Sequence, residues 1–384
     1  MLTGGTRNML ARLLLVIAIT FSCLTVSTAG HLDLPADENK EDPGFLGDLA
    51  EMRGEELASY LFSLIQPLAN TISTCLWLED DALQVTEGLR VIVFAPHPDD
   101  ESLAAGGLMN QVVAQGGAVR VVFVTNGDGY REALQQQLGD EPGSSQDFIE
   151  YGKQRREEAL QAMCELGIPP EDIIFLGFPD GGIDDLLKDH WSRLTPFTSP
   201  HTRFSSVGYT GAFSRWAAYA GVNLKDEIAR IIDESCPDWI ILPDPRDYHP
   251  DHCATGIFVL EALRQLNQQR ELALDNLEIL TYLVHFKDYP TSPDWLQEVR
   301  KAGLFMSTTG SGTLASTQWL ELPLTDDDLE SKERALSAHQ SQHQILGGFF
   351  KIFLTDQEIF GRLDPAQVLT IPQEYALSFK QPNS

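Results

Sequence analysis

Basic residues are scarce in this chain: 27 Lys and Arg stand against 56 Asp and Glu, a formal charge of −29 at pH 7. A field of that sign repels nucleic acid and anionic lipid surfaces, so neither is expected as a partner. No Gly-x-Gly-x-x-Gly stretch occurs, and no phosphate-cradling Gly-rich loop ending in Lys. Their lack argues against a nucleotide enzyme. Cysteine is sparse, at five residues, and no Cys-x-x-Cys pair is present to suggest a structural zinc. There is no internal repeat and no low-complexity tract. Beyond the first residues, no segment is long and apolar enough to cross a bilayer.

The first 29 residues read as a secretory signal. Arg7 and Arg12 supply a positive start, Leu13 to Val26 an apolar run, and Ser27, Thr28 and Ala29 small residues for cleavage. The run is shorter than the ~20 residues a spanning helix needs. The expectation is an exported protein, periplasmic or extracellular, with no stable membrane insertion after cleavage. An uncleaved N-terminal anchor is the alternative. Removing the segment, which holds two Arg and no acid, takes the formal charge from −29 to −31. Cys75, Cys164, Cys236 and Cys253 would remain, an even number that allows one or two disulfides in an exported chain.

Residues 30–87 read as an acidic leader followed by a helix over 54–72, with Leu57, Leu61, Leu64, Ile65 and Leu68 on one face. From 88 to 384 strand and helix patterns alternate. That predicts an α/β domain, Rossmann-like, with a mostly parallel sheet and helices on both faces. The strands are expected at 90–95, 118–125, 173–178, 238–243 and 278–284. Helices are expected at 102–115, 150–166, 222–235 and 252–269, with a final one at 326–345. Gly106 and Gly107 fall inside the first helix, where they would let it pack closely. Long connections run over 127–149 and 184–221, both after strand ends.

Two of the strands end in clusters of His and Asp. Val91, Ile92, Val93 and Phe94 run into Ala95, Pro96, His97, Pro98, Asp99, Asp100 and Glu101. Ile240, Ile241 and Leu242 run into Asp244, Asp247, His249, Asp251 and His252. Open α/β sheets place their ligand sites at the C-terminal ends of strands. Two His and one carboxylate complete the three protein ligands of a catalytic zinc site: His97, Asp100 and either His252 or His249. Asp99 is then free to act as a base. A helix cap alone needs a single Asp or Ser.

Ala-Pro-His-Pro-Asp-Asp-Glu at 95–101 and His-Pro-Asp-His at 249–252 resemble the two signatures of the LmbE-like, or PIG-L, family of zinc-dependent N-deacetylases. Weaker landmarks follow in the family's order: Arg155-x-x-Glu158 with Leu166-Gly167, then Phe175 to Asp180. The last is Lys332 through Ala335-Leu336, His339 and Ser341-Gln342. The resemblance covers residues 88–345. It implies one Zn2+ per chain held by His97, Asp100 and His252, with Asp99 as general base and His249 stabilising the oxyanion. Arg155 and Asp180 are implied as substrate-binding groups. Glu101 and Asp251 would support or cap. The substrate implied is an N-acetylated sugar or glycan, hydrolysed at its amide C–N bond.

Other readings stay open at this point. Spacing alone allows His249 and His252 to exchange roles. The same triad suits a non-haem Fe(II) enzyme, and a carbohydrate-binding protein with an inactive metal site would carry the same fold. The aromatic residues of 184–221 (Trp191, Phe197, Phe204, Tyr209, Phe213, Trp216 and Tyr219) could stack on sugar rings or form the loop's own core. His285 would be a structural residue at the rim, and His339 and His343, four apart on one helix, packing residues.

Overall fold

A computed structural model describes residues 82–139, 141–270, 277–286, 289–291 and 318–364. All belong to the unit Asp80–Ser384. The expected signal segment, the acidic leader to residue 81, the 54–72 helix, Cys23 and Cys75 lie outside the described residues.

The strands are β1 (Arg90–Ala95), β2 (Ala118–Thr125), β3 (Ile173–Phe178), β4 (Trp239–Pro243), β5 (Glu278–Tyr282), β6 (Gln318–Pro323) and β7 (Gln357–Leu363). They form one sheet in the order β3-β2-β1-β4-β5-β7-β6. The first five are parallel, and β7 and then β6 add antiparallel to that edge. Helices α1 (Asp100–Ala114), α2 (Arg131–Gln137), α3 (Ser145–Glu165), α4 (Ile183–Lys188), α5 (Gly221–Ser235), α6 (Pro250–Arg270), α7 (Asp326–Ala338) and α8 (Gln340–Lys351) connect and cover it.

Strand β1 shows why the inner strands are unbroken apolar runs. Val91, Val93 and Ala95 face one core, shared with α1, α3, α7 and α8. Ile92 and Phe94 face the other, shared with α4, α5 and α6. Both faces of a parallel sheet are covered, so both sets of alternating side chains are apolar. From β1 the chain builds outward through β2 and β3, then crosses back to β4 and β5. The order reverses between β1 and β4, and the crevice at that switch point is where such sheets take ligands. The two His/Asp clusters are the segments that leave β1 and β4.

Boundaries differ from the sequence expectation in three informative places. Helix α3 starts at Ser145, earlier than expected, because Ser144 and Asp147 form a capping box. Helix α1 is interrupted at Ala105 (φ −139, ψ 17). The single helix expected over 326–345 is two, broken at His339 (φ −75, ψ 62). The aromatics of 184–221 join the main core rather than form a separate one: Tyr209 and Tyr219 are buried, and Trp191, Phe197, Phe204 and Phe213 pack on the α4–α5–α6 side. Trp216 remains exposed. Cys164, Cys236 and Cys253 are free thiols, so no disulfide joins the described cysteines. Among the described residues no helix is long and apolar enough to cross a membrane.

Candidate active site

Pro96 and Pro98 flank His97 and keep the chain out of helix until Asp99. Asp99 then takes φ 128, ψ −29, a region that non-glycine residues avoid at a cost of about 1–3 kcal/mol. It stands at the N-cap position of α1, yet its side chain makes no capping bond. Three contacts hold it. Its N–H donates to Glu101 Oε2 (3.0 Å), its carbonyl accepts from Leu103 N–H (2.9 Å), and its Oδ2 receives Arg155 Nη2 (3.2 Å). Burial pushes the Asp99 carboxyl up to about 7 against the pull of Arg155, with Asp100 adding to the rise.

Arg155 is buried. Nη2 also donates to Pro98 O (2.6 Å) and Nη1 to Gly127 O (3.0 Å). Gly127 permits this approach: at φ +65, a Cβ there would lie 2.0 Å from Nη1. The helix that carries Arg155 is fastened one turn on. Glu158 accepts from Ser341 N–H (3.1 Å) and Ser341 Oγ (2.6 Å), and Gln342 donates to Tyr151 Oη (2.8 Å). The landmarks Arg155-x-x-Glu158 and His339 to Gln342, weak by themselves in sequence, thus meet as one network.

The donors lie across Asp100. Its Oδ2 is 3.2 Å from His97 Nδ1 and 3.1 Å from His252 Nε2. Two ligands about 2.1 Å from a tetrahedral zinc stand roughly 3.4 Å apart, close to these separations. His252 is fully buried, and neither ring nitrogen makes an aligned hydrogen bond. Such orphaned atoms on a buried imidazole fit a metal ligand. His97, His249 and His252 each offer an atom within 4.8 Å of the others, as do Asp100, His252 and His285.

Carboxylates stand behind the donors. His97 Nε2 faces Asp180 Oδ1 (3.2 Å) and Asp251 Oδ2 (3.3 Å), which favours the proton on Nε2 and leaves Nδ1 to face Asp100. Asp251 also accepts from Gly181 N–H (2.7 Å) and Ile183 N–H (3.0 Å), and so ties the end of β3 to this ring. Asp247 Oδ2 accepts from Val284 and His285 N–H (2.9 Å each) and lies 3.6 Å from His252 Nδ1. Backing of this kind orients metal-binding imidazoles. Burial works to raise the Asp247 carboxyl, but His252 and His285 outweigh it and hold it low. Asp99, Asp100, Asp180, Asp247 and Asp251 surround the histidines, with Arg155 as the fixed cation on Asp99. A divalent cation suits that balance.

His249 differs from its neighbour. Its Nδ1 accepts the Asp251 N–H (3.3 Å), so the ring's proton sits on Nε2 as a donor. Burial, with His97 and His252 beside it, lowers its pKa to about 4 and keeps it neutral. A ligand at Nε2 would need the opposite tautomer.

All seven site residues named from sequence fall at the crevice between β1 and β4. Arg155 and Asp180 turn inward, toward Asp99 and His97, with 4% and 10% of their side chains exposed. His285 is more than a rim residue, since its ring lies 5.0 Å from that of His252. His339 is not a packing residue: it is fully buried with Nε2 2.9 Å from Glu101 Oε1, and the break at its own position separates it from exposed His343. Asp247 went unassigned in sequence, although its place in the post-β4 run of acids was a signal.

Residues 92–263 match the family model described as PIG-L, GlcNAc-PI de-N-acetylase. A 1D-myo-inositol 2-acetamido-2-deoxy-alpha-D-glucopyranoside deacetylase of Kribbella flavida is 28% identical over 285 residues, 71% of this chain and 89% of that protein. A probable N-acetyl-alpha-D-glucosaminyl L-malate deacetylase of Bacillus cereus is 28% identical over 182 residues, 47% of this chain and 63% of that one. Among solved structures, the N,N'-diacetylchitobiose deacetylase of Pyrococcus horikoshii aligns at 20% identity and TM-score 0.43, over 72% of this chain and 84% of that chain. The crevice between β1 and β4 therefore lies within the segment that matches the PIG-L family model.

Proposed function

We propose that this chain is a zinc-dependent hydrolase that removes the N-acetyl group from an N-acetylated amino sugar or glycan. The observation that carries the reading is Asp99. It is a buried carboxylate freed from helix capping, held in an avoided backbone conformation, and placed next to three donors suited to a metal. The names of the relatives supply the substrate class.

A zinc ion held by His97, Asp100 and His252 would polarise the amide carbonyl and acidify a water. Asp99 accepts that water's proton as its oxygen attacks the carbonyl carbon. A carboxyl pushed up toward 7 is matched to this task, because a base works best near the operating pH. Arg155 keeps the Asp99 carboxylate aimed. The Nε2–H of neutral His249 donates to the oxyanion that forms. The C–N bond then breaks, and Asp99 returns the proton to the departing amine. Asp180 and Asp251 fix His97, and Asp247 fixes His252. Arg155 and Asp180 keep the substrate-binding role implied by the resemblance as part of this proposal.

The test is release of acetate and free amine from a panel of N-acetylated sugars, with metal content measured on the same sample. Stoichiometric zinc with acetate release is expected. Zinc-loaded protein that released no acetate from any of them would overturn the reading. Iron retention with oxygen uptake would favour the non-haem iron alternative.

A further inference from the structure

Glu101 and His339 do nothing in the mechanism above, yet they are among the most buried polar residues of the chain, each 0% exposed. They come from elements far apart in sequence, Glu101 from the first turn of α1 and His339 from the break between α7 and α8. His339 Nε2 lies 2.9 Å from Glu101 Oε1, which also accepts Ser102 Oγ (2.7 Å). The other carboxylate oxygen, Oε2, accepts the Asp99 N–H at 3.0 Å. One carboxylate therefore spans a buried imidazole and the backbone of the residue with φ 128.

The break at His339 is what makes this contact. A helix continuing from Ala338 would carry the side chain round its own axis. At φ −75 and ψ 62 the chain turns instead, and α8 begins at the next residue. His339 Nδ1 has no partner. The ring's hydrogen bonding is thus concentrated on the Glu101 and Ser102 side.

We propose that Glu101 and His339 form a positioning pair whose task is to hold Asp99 in its avoided backbone conformation, so that its carboxylate points into the crevice. The inference rests on the reading of Asp99 as the base. Without the Oε2 acceptor, the Asp99 N–H loses its partner and the residue relaxes toward an ordinary helix N-cap. Its carboxylate then swings toward the free N–H groups of the first turn and away from Arg155. Without His339, Glu101 loses the group that fixes its orientation. Their side-chain hydrogen bonds go to each other, to Ser102 and to the Asp99 N–H, none of them a donor of the metal site, so metal and substrate affinity depend little on them.

The experiment uses full-length Glu101→Ala, His339→Ala and Glu101→Gln. It reads zinc content, kcat and KM for acetate release, and the Asp99 φ from crystal structures. Glu101→Ala and His339→Ala are expected to keep zinc and KM and to lose kcat on the order of 10²-fold, the scale of a displacement of about 1 Å. Glu101→Gln retains an acceptor for the Asp99 N–H and should recover most of that loss. In the Glu101→Ala crystal Asp99 should reach negative φ, and in Glu101→Gln it should stay near 128. A positive φ retained in Glu101→Ala would overturn the proposal. So would a Gln variant as impaired as Ala, with zinc, KM and kcat lost together. Should Glu101→Ala not fold, the same readings on His339→Ala decide. The crystallographic reading needs no turnover, so an inactive wild type would count against the deacetylase reading while the pair is still judged by the Asp99 conformation.

Discussion

Lys332→Met should destabilise the protein by about 3–5 kcal/mol, the range for breaking a buried ion pair by removing one partner. Lys332 is 1% exposed and Glu358 3%. Nζ donates to Glu358 Oε1 at 2.7 Å, and the same carboxylate accepts Gly107 N–H and Leu108 N–H at 2.8 Å each. Those two amides lie just past the interruption at Ala105 and belong to the first turn of the second segment of α1, where donors need an outside acceptor. Methionine keeps most of the aliphatic stem that fills the space over Gly106, where a Cβ would come within 2.9 Å of Lys332 Cγ. The substitution therefore removes the charge and leaves the packing. What remains is a buried carboxylate with two neutral donors and no cation.

Thermal unfolding by circular dichroism at pH 7, with both proteins equally metal-loaded, is the assay. A loss of that size lowers Tm by roughly 10 °C in a domain of this class. Lys332→Met combined with Glu358→Gln should recover more than half of the loss, because the stranded charge is gone while an acceptor for the amides remains. A single-variant loss below about 1 kcal/mol, or a double variant no better than the single, would refute the reasoning.

Asp99→Asn should retain zinc while kcat falls by ~10²–10⁴-fold, as loss of a general base does. Asp100→Asn should instead lose zinc on dialysis, and near-normal turnover by zinc-saturated Asp99→Asn would remove Asp99 from the mechanism. Asp247→Asn should weaken metal affinity by about 10–100-fold in a chelator competition, because Asp247 backs His252. Glu227 on α5 is pushed up to about 8 by burial, the largest influence, against Ser214 and Arg230. The folded state then keeps a proton that the unfolded state has released, so stability falls as pH rises from the ordinary Glu range through about 8. Glu227→Gln should flatten that decline, by ~2–4 kcal/mol between pH 5 and pH 8.5 in urea titrations; parallel slopes for the two proteins would contradict the assignment.

How much of this was legible in the sequence follows from what local pattern can carry. Parallel strands buried on both faces are largely apolar runs, so β1 to β3 could be read to the residue and β4 and β5 to within two residues at their ends. β6 and β7 could not. Each mixes apolar with polar residues at the antiparallel edge with neither an unbroken apolar run nor a regular alternation, as in Gln318, Trp319, Leu320 and Glu321. His97, Asp100, Asp99, His249 and His252 were legible because they sit consecutively at strand ends. Glu101 was expected to support or cap, but its partner His339 was not visible, and Asp247 was visible only as an acid, because their partners lie elsewhere in the chain. The break at His339 was hidden by helical spacing that continues through it, and that spacing put His339 and His343 on one helix as packing residues. No periodicity encodes a contact between residues 101 and 339.

Part of the support of the site lies outside the segment that carries its chemistry. The match to the family model ends at residue 263, and the donors, Asp99, His249, Arg155 and Asp180 all fall inside it. Yet α1, which presents Asp100 and Glu101, is held at two points by residues beyond that limit. His339 reaches Glu101 at its first turn, and Glu358 with Lys332 reaches Gly107 and Leu108 at its interruption. Arg155 depends on the same region, because Ser341 and Gln342 anchor its helix through Glu158 and Tyr151. An avoided conformation such as that of Asp99 persists where its surroundings over-determine it. Here the over-determination comes from α7, α8 and β7. The sheet order brings the two His/Asp clusters together, and the C-terminal helices and strand keep the first cluster in the shape that the proposed chemistry needs.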